Sequence, residues 1–258
     1  MGLLDSKKKL LVGLDIGSSA VKVCELQAIG KGAGQRYRLQ KLGSVPIPHD
    51  AIVEGDIMDS NAVASAIRQV LAEQKIKAKE VAISVSGQQV MVKKVTFPLM
   101  SPAELAESVR WEAESFFPAG QGLDSYALDF TILDERPDDG NMDVVLVACR
   151  RDKLESYAGC VAQAGLRPVL VDVDVFALQN AYEVNTVPGP RDEVVALVNI
   201  GASFTNMTIL MGNRSIFWRD IAGGGNRFTD KLIEDWGISR DAAEYLKKKL
   251  GIDFNETT

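Results

Sequence analysis

A motif that occurs twice constrains this 258-residue chain more strongly than any other feature of its sequence. Residues 11–26 read LVGLDIGSSAVKVCEL and residues 195–210 read VALVNIGASFTNMTIL, and the two segments align without a gap. Each copy is an apolar segment, a turn of small residues and a second apolar segment, which is the pattern of a β-hairpin. Two such hairpins in the two halves of one chain predict a duplicated fold that holds a phosphate between its halves.

The composition is that of an ordinary globular protein and argues against several classes of function. Hydrophobic residues make up 46% of the chain and charged residues 25%, which suits one or two domains with a sizeable core. A net charge of −6 argues against a nucleic-acid partner, and the single histidine, His49, leaves no multi-histidine zinc site. No apolar run reaches the length of a membrane span. The three cysteines, Cys24, Cys149 and Cys160, show no metal or CxxC spacing, which fits a reducing cytoplasm. We therefore expect a cytoplasmic protein that does not insert into the membrane itself.

Hydrophobic periodicity and turn residues predict strands and helices along the whole chain. In the first half we expect strands at 10–16, 20–28, 36–45, 80–86 and 168–173 and helices at about 60–74 and 174–183. In the second half we expect the repeated hairpin, a strand at 214–221 and helices at about 226–236 and 239–250. Both halves therefore share the order hairpin, third strand, helix.

The segment 88–166 interrupts the first half and is predicted to be an inserted α+β unit. A strand at 89–97 leads to Ser101-Pro102-Ala103-Glu104, which is a capping box with proline at the first helical position. The helix that begins there is expected to reach about residue 117. Strands at 125–133 and 143–150 and a helix at about 152–164 follow.

The first hairpin carries residues that suit a phosphate and a metal ion. Gly17 lets the backbone turn tightly beside a ligand, and Ser18 and Ser19 add polar donors. Lys22 could pair with a phosphate as a point charge, and Asp15 could hold a magnesium ion through water. A plain hairpin with a surface lysine would show the same residues, but the second copy of the motif favours phosphate binding.

The segment DIGSSAVK resembles the first phosphate motif of the actin-like ATPase superfamily, and NIGASFT resembles its second. Between them, VDVDVFALQNAY resembles the helix that connects the two domains. That helix often begins with an acidic or amide residue near the reacting phosphate, and Asp174 is the nearest match to this residue. The resemblance implies an α/β fold of duplicated ribonuclease-H-like domains around a cleft that binds ATP or ADP with Mg²⁺. It assigns 1–87 and 167–190 to the first domain, 88–166 to an inserted subdomain and 191–258 to an incomplete second domain.

Nucleotide contacts carry over from this resemblance only where residues match the motifs, and Asp15 is then the implied metal ligand. The matching residues are Asp15, Gly17, Ser18, Ser19 and Lys22 in the first hairpin, Asn199, Gly201, Ala202, Ser203 and Thr205 in the second, Gly223, Gly224 and Gly225 in a glycine turn, and Glu244 and Lys247 on a helix near the ribose and adenine. For Lys248 and Lys249, a solvated charged face is the simpler interpretation.

Further segments narrow the resemblance within the superfamily. The insertion after VAISVSG is typical of the FtsA branch, and VRWEAESFFP, VVLVACR, IAGGGNRFT and AEYLKKKLG are similar to segments of the PilM family of type IV pilus assembly proteins. This implies a scaffold of the inner-membrane pilus platform that binds the cytoplasmic N-terminal tail of PilN and couples to pilus motor ATPases. An FtsA-like filament-forming ATPase and, less favoured, a sugar-kinase-type phosphotransferase stay open as alternatives, as does a homo-oligomer.

Two departures from the family pattern shape these expectations. Asn199 stands where the second motif usually has an aspartate, and an amide brings no negative charge to a metal ion or an attacking water. Because loss of a charged group at a reacting centre lowers rates by orders of magnitude, we expect nucleotide binding with slow or absent hydrolysis. The chain also stops before the further glycine-rich adenosine motif of the family, so we expect an incomplete adenine pocket.

One aromatic side chain is a candidate partner contact. On the helix after Ser101, an apolar stripe is formed by Leu105, Val109, Ala113 and Phe116, and Trp111 falls on the polar face. A tryptophan on a polar face is a reasonable anchor for a peptide or protein partner. Packing of Trp111 beneath another part of the domain is the alternative.

Overall fold

The structure is a computed structural model that describes residues 12–30, 35–117, 122–186, 190, 192–212 and 214–250. The predicted start of the first strand at residue 10 lies outside these ranges. In the described part of the chain, no helix is long and apolar enough to cross a membrane.

The first half forms a five-stranded sheet that contains the first hairpin. Its elements are β1 (Val12–Ile16), β2 (Ala20–Ile29), β3 (Arg36–Pro46), the short strands β4 (Ile52–Val53) and β5 (Asp56–Ile57), α1 (Ser60–Glu73) and β6 (Glu80–Val85). Strand β10 (Arg167–Val173), which comes after the inserted unit, completes the order β10-β6-β1-β2-β3. Strand β1 pairs antiparallel with β2 and parallel with β6, so the hairpin lies at the centre of the sheet.

Helix α1 forms where the sequence predicts it. The side chain of Asp59 accepts a hydrogen bond of 2.9 Å from the N–H of Ala62, which satisfies one of the free donors at the helix start. The predicted apolar face, Val63, Ile67, Val70 and Leu71, is buried against the sheet. The short hairpin of β4 and β5 was not predicted, because two-residue strands carry no periodic signal.

The inserted unit is a three-stranded antiparallel sheet with one covering helix. Its elements are β7 (Val90–Pro98), α2 (Pro102–Glu114), β8 (Tyr126–Arg136) and β9 (Asn141–Arg150), with the strand order β7-β9-β8. The predicted capping box is present, because Ser101 and Glu104 exchange side-chain and backbone hydrogen bonds. Along β9, Val144 and Leu146 pack against Leu105 of α2, while the alternate residues face the other side of the sheet.

Helix α3 (Arg151–Gln163) follows β9 directly and packs against the five-stranded sheet. Tyr157, Cys160 and Val161 belong to the same buried cluster as the residues of α1. The predicted insertion at 88–166 includes this helix, whereas the packing favours ending the inserted unit near residue 150. The division into domains stays a prediction, now with the inserted unit ending near residue 150.

The second half repeats the hairpin in a smaller sheet. Its elements are β11 (Val194–Ile200), β12 (Phe204–Met211), β13 (Arg214–Ala222), α5 (Gly225–Trp236) and α6 (Arg240–Leu250), and the connecting helix is α4 (Asp174–Asn185). The register of the two hairpins matches: Asp15 lies opposite Lys22, and Asn199 lies opposite Asn206. Helix α4 joins the halves, because Phe176 packs edge-on against Trp218 with ring centroids 6.0 Å apart.

The inserted sheet contains a buried carboxylate whose charge is compensated from three sides. Asp143 on β9 accepts a hydrogen bond of 2.8 Å from Thr96 and lies 2.7 Å from both Lys94 and Arg136. Hydrogen bonds from Arg136 hold the pKa of the Asp143 carboxyl well below its usual range, and those from Lys94 and Thr96 add to the effect. The carboxylate therefore stabilises the fold above its ordinary pKa near ~4, and this contribution is lost as the pH falls.

We expect Asp143→Asn to lower the free energy of unfolding by about 2 kcal/mol at pH 7, because Lys94 and Arg136 lose the negative charge with which they pair. Urea unfolding at several pH values measures this, with the exposed Asp138→Asn as the control. The difference between wild type and Asp143→Asn should shrink below about pH 4. A difference that is constant down to about pH 2 would contradict the assignment.

Candidate functional site

The tip of the first hairpin presents free backbone donors. The N–H of Gly17 donates to the carbonyl of Ala20 across 3.1 Å, which closes the turn and leaves Ser18 and Ser19 at its tip. Within the described residues, the N–H groups of Ser18 and Ser19 make no backbone–backbone hydrogen bond. Adjacent free N–H groups in a tight turn form a concavity that suits an anion.

Asp15 and Lys22 stand beside this tip and pair with each other. The Lys22 ammonium lies 2.8 Å from the Asp15 carboxylate, and each side chain is 53% exposed. An ion pair this exposed contributes little free energy, so both groups can exchange partners. They are therefore available for the predicted contacts of Lys22 with a phosphate and of Asp15 with a metal ion.

The second hairpin tip is built in the same way and is held by the glycine turn. The N–H of Gly201 donates to the carbonyl of Phe204 across 2.8 Å, leaving Ala202 and Ser203 at the tip. In the described part of the chain, their N–H groups also form no backbone–backbone hydrogen bond. The carbonyls of the tip instead accept hydrogen bonds from the first N–H groups of α5, at 2.9 Å from Gly225 and 2.8 Å from Asn226.

The glycine turn leaves no room for a side chain at its centre. A β-carbon on Gly224 would lie 2.3 Å from the carbonyl oxygen of Gly201 and 2.8 Å from that of Ala202. The hydroxyl of Thr205 donates to the carbonyl of Gly223 across 2.8 Å and fixes the start of the turn. The predicted residues 199–205 and 223–225 therefore form one structural unit.

Glu244 and Lys247 on α6 also reach this unit. The Lys247 ammonium donates to the carbonyl of Gly225 across 3.1 Å and to the hydroxyl of Thr229 across 2.7 Å, and it pairs with Glu244 at 2.5 Å. The structure therefore brings the predicted ribose-side residues to the glycine turn. Their contacts tie α6 to the first turn of α5.

Asn199 begins a chain of hydrogen bonds that reaches the first half. Its amide donates to Asn206 across 3.0 Å, and Asn206 donates to the Asp220 carboxylate across 2.7 Å. The other oxygen of Asp220 accepts the N–H of Gly87 across 2.7 Å. An aspartate at position 199 could not donate to Asn206 in this arrangement, because an ionised carboxylate has no proton to give.

Asp174 lies between the two hairpins. It is the first residue of α4, and the side chains of Ser84 and Ser86 hydrogen-bond to its carboxyl group. Burial raises the pKa of Asp174, and the negative charges of Asp15 and Asp220 add to this shift. The Asp174 carboxyl therefore lies close to an acid of each half, Asp15 in the first and Asp220 in the second.

These residues fit a magnesium-bound nucleotide better than a metal ion alone. Among the residues that the structure describes, no group of three His, Cys, Asp or Glu side chains could hold a metal ion. Mg²⁺ characteristically binds through one or two carboxylates, several waters and substrate phosphates. Asp15 and Asp174 are carboxylates at this point of the fold. The contact of Asp15 with a metal ion and the contacts of the two tips with phosphates stay predictions.

Sequence reasoning missed the residues that lock the second hairpin onto the first half. The Phe204 ring packs on two glycines with positive φ: a β-carbon on Gly55 would lie 3.3 Å from it, and one on Gly87 would lie 3.4 Å from it. The carbonyl of Gly55 accepts hydrogen bonds from the buried Lys153, at 2.7 Å, and from Tyr157, at 2.9 Å. Among these residues, Asp220 carried a usable sequence signal, because it is an acid that stands three residues before a glycine turn.

An apolar groove of about 420 Å³ lies between the inserted sheet and the five-stranded sheet. Its walls come from β8 and β9 on one side and from β6, β10 and α4 on the other. The residues that line it include Val85, Ala127, Thr131, Val145, Val147, Val173 and Phe176. Because Val145 and Val147 alternate with Val144 and Leu146, the groove lies on the face of the inserted sheet opposite to α2.

Trp111 lies on α2 and therefore on the other side of the inserted sheet from the groove. Its side chain is exposed, with 76% of its surface accessible, while Leu105, Val109 and Ala113 on the same helix are buried. The predicted apolar stripe is thus confirmed, and the alternative that Trp111 packs beneath the domain is wrong. Its contact with a partner stays a prediction.

The glycine turn gives a direct test of the second-half geometry. We expect Gly224→Ala to lower the free energy of unfolding by about 1–3 kcal/mol, because its new β-carbon would overlap two carbonyl oxygens. Gly159→Ala is the matched control, since a β-carbon at that helical position has open space around it. The control should be neutral or up to ~1 kcal/mol more stable in urea unfolding. Equal stability of the two variants would refute the described turn.

Comparison with known proteins agrees with this architecture. The family profile of the type IV pilus assembly protein PilM matches residues 13–257. A solved PilM–PilN type IV pilus biogenesis complex matches with a TM-score of 0.82 and 28% identity, over 94% of this chain and 70% of the solved one. Weaker likenesses include EutJ from Carboxydothermus hydrogenoformans, with a TM-score of 0.49, 16% identity and coverage of 93% and 62%. MreB5 of Spiroplasma citri bound to ADP gives a TM-score of 0.48, 14% identity and coverage of 95% and 63%.

The family match extends over nearly the whole chain, and the duplicated hairpins, connecting helix and inserted unit give the predicted actin-like α/β fold. The predicted resemblance is confirmed. The chain belongs to the PilM family of type IV pilus assembly proteins.

Proposed function

We propose that this protein is a nucleotide-binding scaffold of the type IV pilus assembly platform and that it holds the cytoplasmic N-terminal peptide of PilN. The observation that carries the proposal is that both hairpin tips have free N–H groups and that Asp174 lies near Asp15 of the first half and Asp220 of the second, with a separate groove beside them. Family membership supports the pilus role, and the solved PilM–PilN complex supports PilN as the partner.

The bound nucleotide would be ATP or ADP with Mg²⁺, which supplies phosphate charge that the two tips can share. The N–H groups of Ser18 and Ser19 would bind phosphate oxygens from one side, and those of Ala202 and Ser203 from the other. Lys22 would leave Asp15 to neutralise phosphate charge, and Asp15 and Asp174 would hold the metal ion. Binding of a cation would also favour the ionised form of Asp174, which burial disfavours in the free protein.

Asn199 makes slow or absent hydrolysis the expected behaviour. Its amide is engaged with Asn206 and carries no negative charge, so it is a poor group for orienting a metal ion or an attacking water. The nucleotide would therefore act by holding the two halves together. Single-turnover hydrolysis as fast as in an active actin-like ATPase would contradict this part of the proposal.

The groove is the surface that best fits an extended peptide. Its lining is mainly apolar, although Asp129 and Asp172 also belong to it. The groove lies between two units of the first half, and one wall is β8. Within the described residues, β8 is an edge strand of the inserted sheet, and its free edge can pair with an added strand. The peptide would thus gain backbone hydrogen bonds from β8 and side-chain burial from the valines of β9.

Trp111 is proposed as the contact for a second partner, because it faces away from the groove. The pilus motor ATPases, the platform protein and a second copy of this chain are the partners that the pilus role implies. Through PilN, the protein would be held at the cytoplasmic side of the inner membrane and would support twitching motility.

Fluorescence anisotropy with a labelled PilN N-terminal peptide from the same genome tests the groove. Thr131 is exposed and lines the groove, so Thr131→Arg should block the peptide without disturbing the core. We expect at least a roughly tenfold weaker Kd for Thr131→Arg, equivalent to ~1.4 kcal/mol. The matched variant Thr131→Ser and the distant Trp111→Ala should bind as wild type does.

Loss of peptide binding in Trp111→Ala but not in Thr131→Arg would overturn the assignment of the groove. A wild-type protein that does not bind the peptide would overturn PilN as the partner.

A further inference from the structure

The first half carries a strongly basic surface, although the chain as a whole is acidic, with a net charge of −6. Residues 36–41 at the start of β3 and residues 75–79 before β6 contain six cations and no acid. We call the surface that these cations form the basic edge. Its members are Arg36, Arg38, Lys41, Lys75, Lys77 and Lys79.

The two segments of the basic edge lie side by side in the fold. The Lys41 ammonium donates to the carbonyl of Lys75 across 2.9 Å, so the loop before β6 contacts β3. Gln74 lies so close to β3 that a β-carbon on Gly43 would be 2.5 Å from its side chain. The cations of both segments therefore belong to one surface.

The register of the strands places the basic edge at the end of the sheet opposite to the first hairpin tip. Strand β1 begins at Val12, which pairs with Glu25 of β2, and Glu25 pairs in turn with Lys41 of β3. Strand β6 begins beside the same residue, since Val81 also pairs with Val12. From there, β1 runs away from the basic edge to Ile16 and the tip. The basic edge and the candidate phosphate site therefore lie at opposite ends of the sheet.

Most of the positive charge of the basic edge is not compensated. Glu25 pairs with Lys41 at 3.3 Å. Glu80 pairs with Arg167 at the start of β10. Within the residues that the structure describes, the other five cations form no ion pair, and Glu73 is the acid that remains beside them on these segments. A single exposed acid contributes little to exposed cations, whereas an anionic plane faces all five at once.

The basic edge includes a two-stranded ribbon with an apolar face. Residues 26–29 of β2 and 36–39 of β3 continue beyond the start of β1 and, among the described residues, pair only with each other. Tyr37 and Leu39 lie on one face of the ribbon and are 48% and 53% exposed. Arg36 and Arg38 alternate with them on the other face. Aromatic and aliphatic side chains beside arginines suit the headgroup layer of a bilayer, whereas a nucleic-acid backbone offers Leu39 no comparable contact.

We propose that the basic edge binds the anionic phospholipids of the cytoplasmic leaflet of the inner membrane, without insertion of the chain. Each Lys or Arg near such a surface gains from its negative potential and raises partitioning roughly fivefold. Acids elsewhere in the protein oppose binding only weakly, because charges farther away than the Debye length of about 8–10 Å are largely screened. The choice of an inner-membrane surface rests on the proposed place of this protein in the pilus platform.

Binding through the basic edge would orient the protein. The PilN peptide would hold the protein near the membrane and so raise the effective concentration of lipid at the basic edge. The first hairpin tip, at the other end of the sheet, would then point to the cytoplasm. The candidate nucleotide site would thus stay open to solution while the protein lies on the membrane.

Co-sedimentation of the whole chain with lipid vesicles tests the proposal in the absence of PilN. The vesicles contain phosphatidylcholine with about 30% phosphatidylglycerol, and vesicles of phosphatidylcholine alone are the lipid control. We expect the protein to bind the anionic vesicles at about 0.05 M salt and to be released at about 0.5 M salt. We expect no binding to the neutral vesicles.

Charge-neutralising variants locate the surface that binds. The double variant Lys77→Gln with Lys79→Gln removes two exposed cations and should weaken partitioning roughly ten- to thirtyfold. The matched control, Lys248→Gln with Lys249→Gln, removes the same charge from exposed lysines of α6. It should change partitioning by less than about threefold, because these lysines lie outside the basic edge.

Equal losses in the two lysine variants would mean that binding follows net charge, and this would overturn the assignment of the basic edge. Wild-type protein that binds both kinds of vesicle alike, or neither, would overturn the proposal. So would binding to a DNA duplex but not to the anionic vesicles at the same salt concentration. If Lys77→Gln with Lys79→Gln lowers the melting temperature, Arg36→Gln with Arg38→Gln on the ribbon decides instead, with the same expected loss.

The outcomes separate this inference from the proposed function, because vesicle binding is measured without PilN. Wild-type protein that binds the PilN peptide but not the anionic vesicles would leave the groove assignment standing and reject the membrane surface. Vesicle binding that depends on Lys77 and Lys79, without binding of the peptide, would reject PilN as the partner and leave the basic edge standing.

Discussion

The contact between the second hairpin and the glycine backbone of the first half is the interaction on which the rest of the structure depends. The Asp220 carboxylate accepts the N–H of Gly87, and the Phe204 ring lies on Gly55 and Gly87. Because these groups belong to different halves, they set the separation of the two hairpin tips. A β-carbon on Gly55 would crowd the Phe204 ring at 3.3 Å, and both glycines have a positive φ that side chains disfavour, so this contact between the halves depends on glycine at these positions.

The two hairpins share a register but have different electrostatic roles. Asp15 and Lys22 form an exposed pair that can open towards a ligand. The equivalent Asn199 and Asn206 form a neutral pair that transmits hydrogen bonding to Asp220 and so to the other half. The first hairpin therefore provides charged side chains for a ligand, and the second fixes its own position against the other half through hydrogen bonds. This asymmetry suits a protein in which a nucleotide fixes a shape that partners can recognise.

Much of the fold could be predicted because its signals are local. The hairpins, the Asp59 cap of α1 and the capping box at Ser101 each depend on residues a few positions apart. The contacts between the halves could not be predicted in the same way, since Gly87 and Asp220 are 133 residues apart. Lys153 is an example. A lysine in the first turn of a helix is expected to be exposed to solvent, yet Lys153 is buried against the turn at Gly55, which the sequence did not predict.

Amide hydrogen exchange of the whole chain, with and without magnesium and a non-hydrolysable ATP analogue, tests the central claim most directly. If one nucleotide is held between the halves, exchange should slow together at Ser18 and Ser19 in the first tip and at Ala202 and Ser203 in the second. The dose dependence should be the same for both tips. Protection confined to one hairpin, or no protection at saturating nucleotide, would contradict the account.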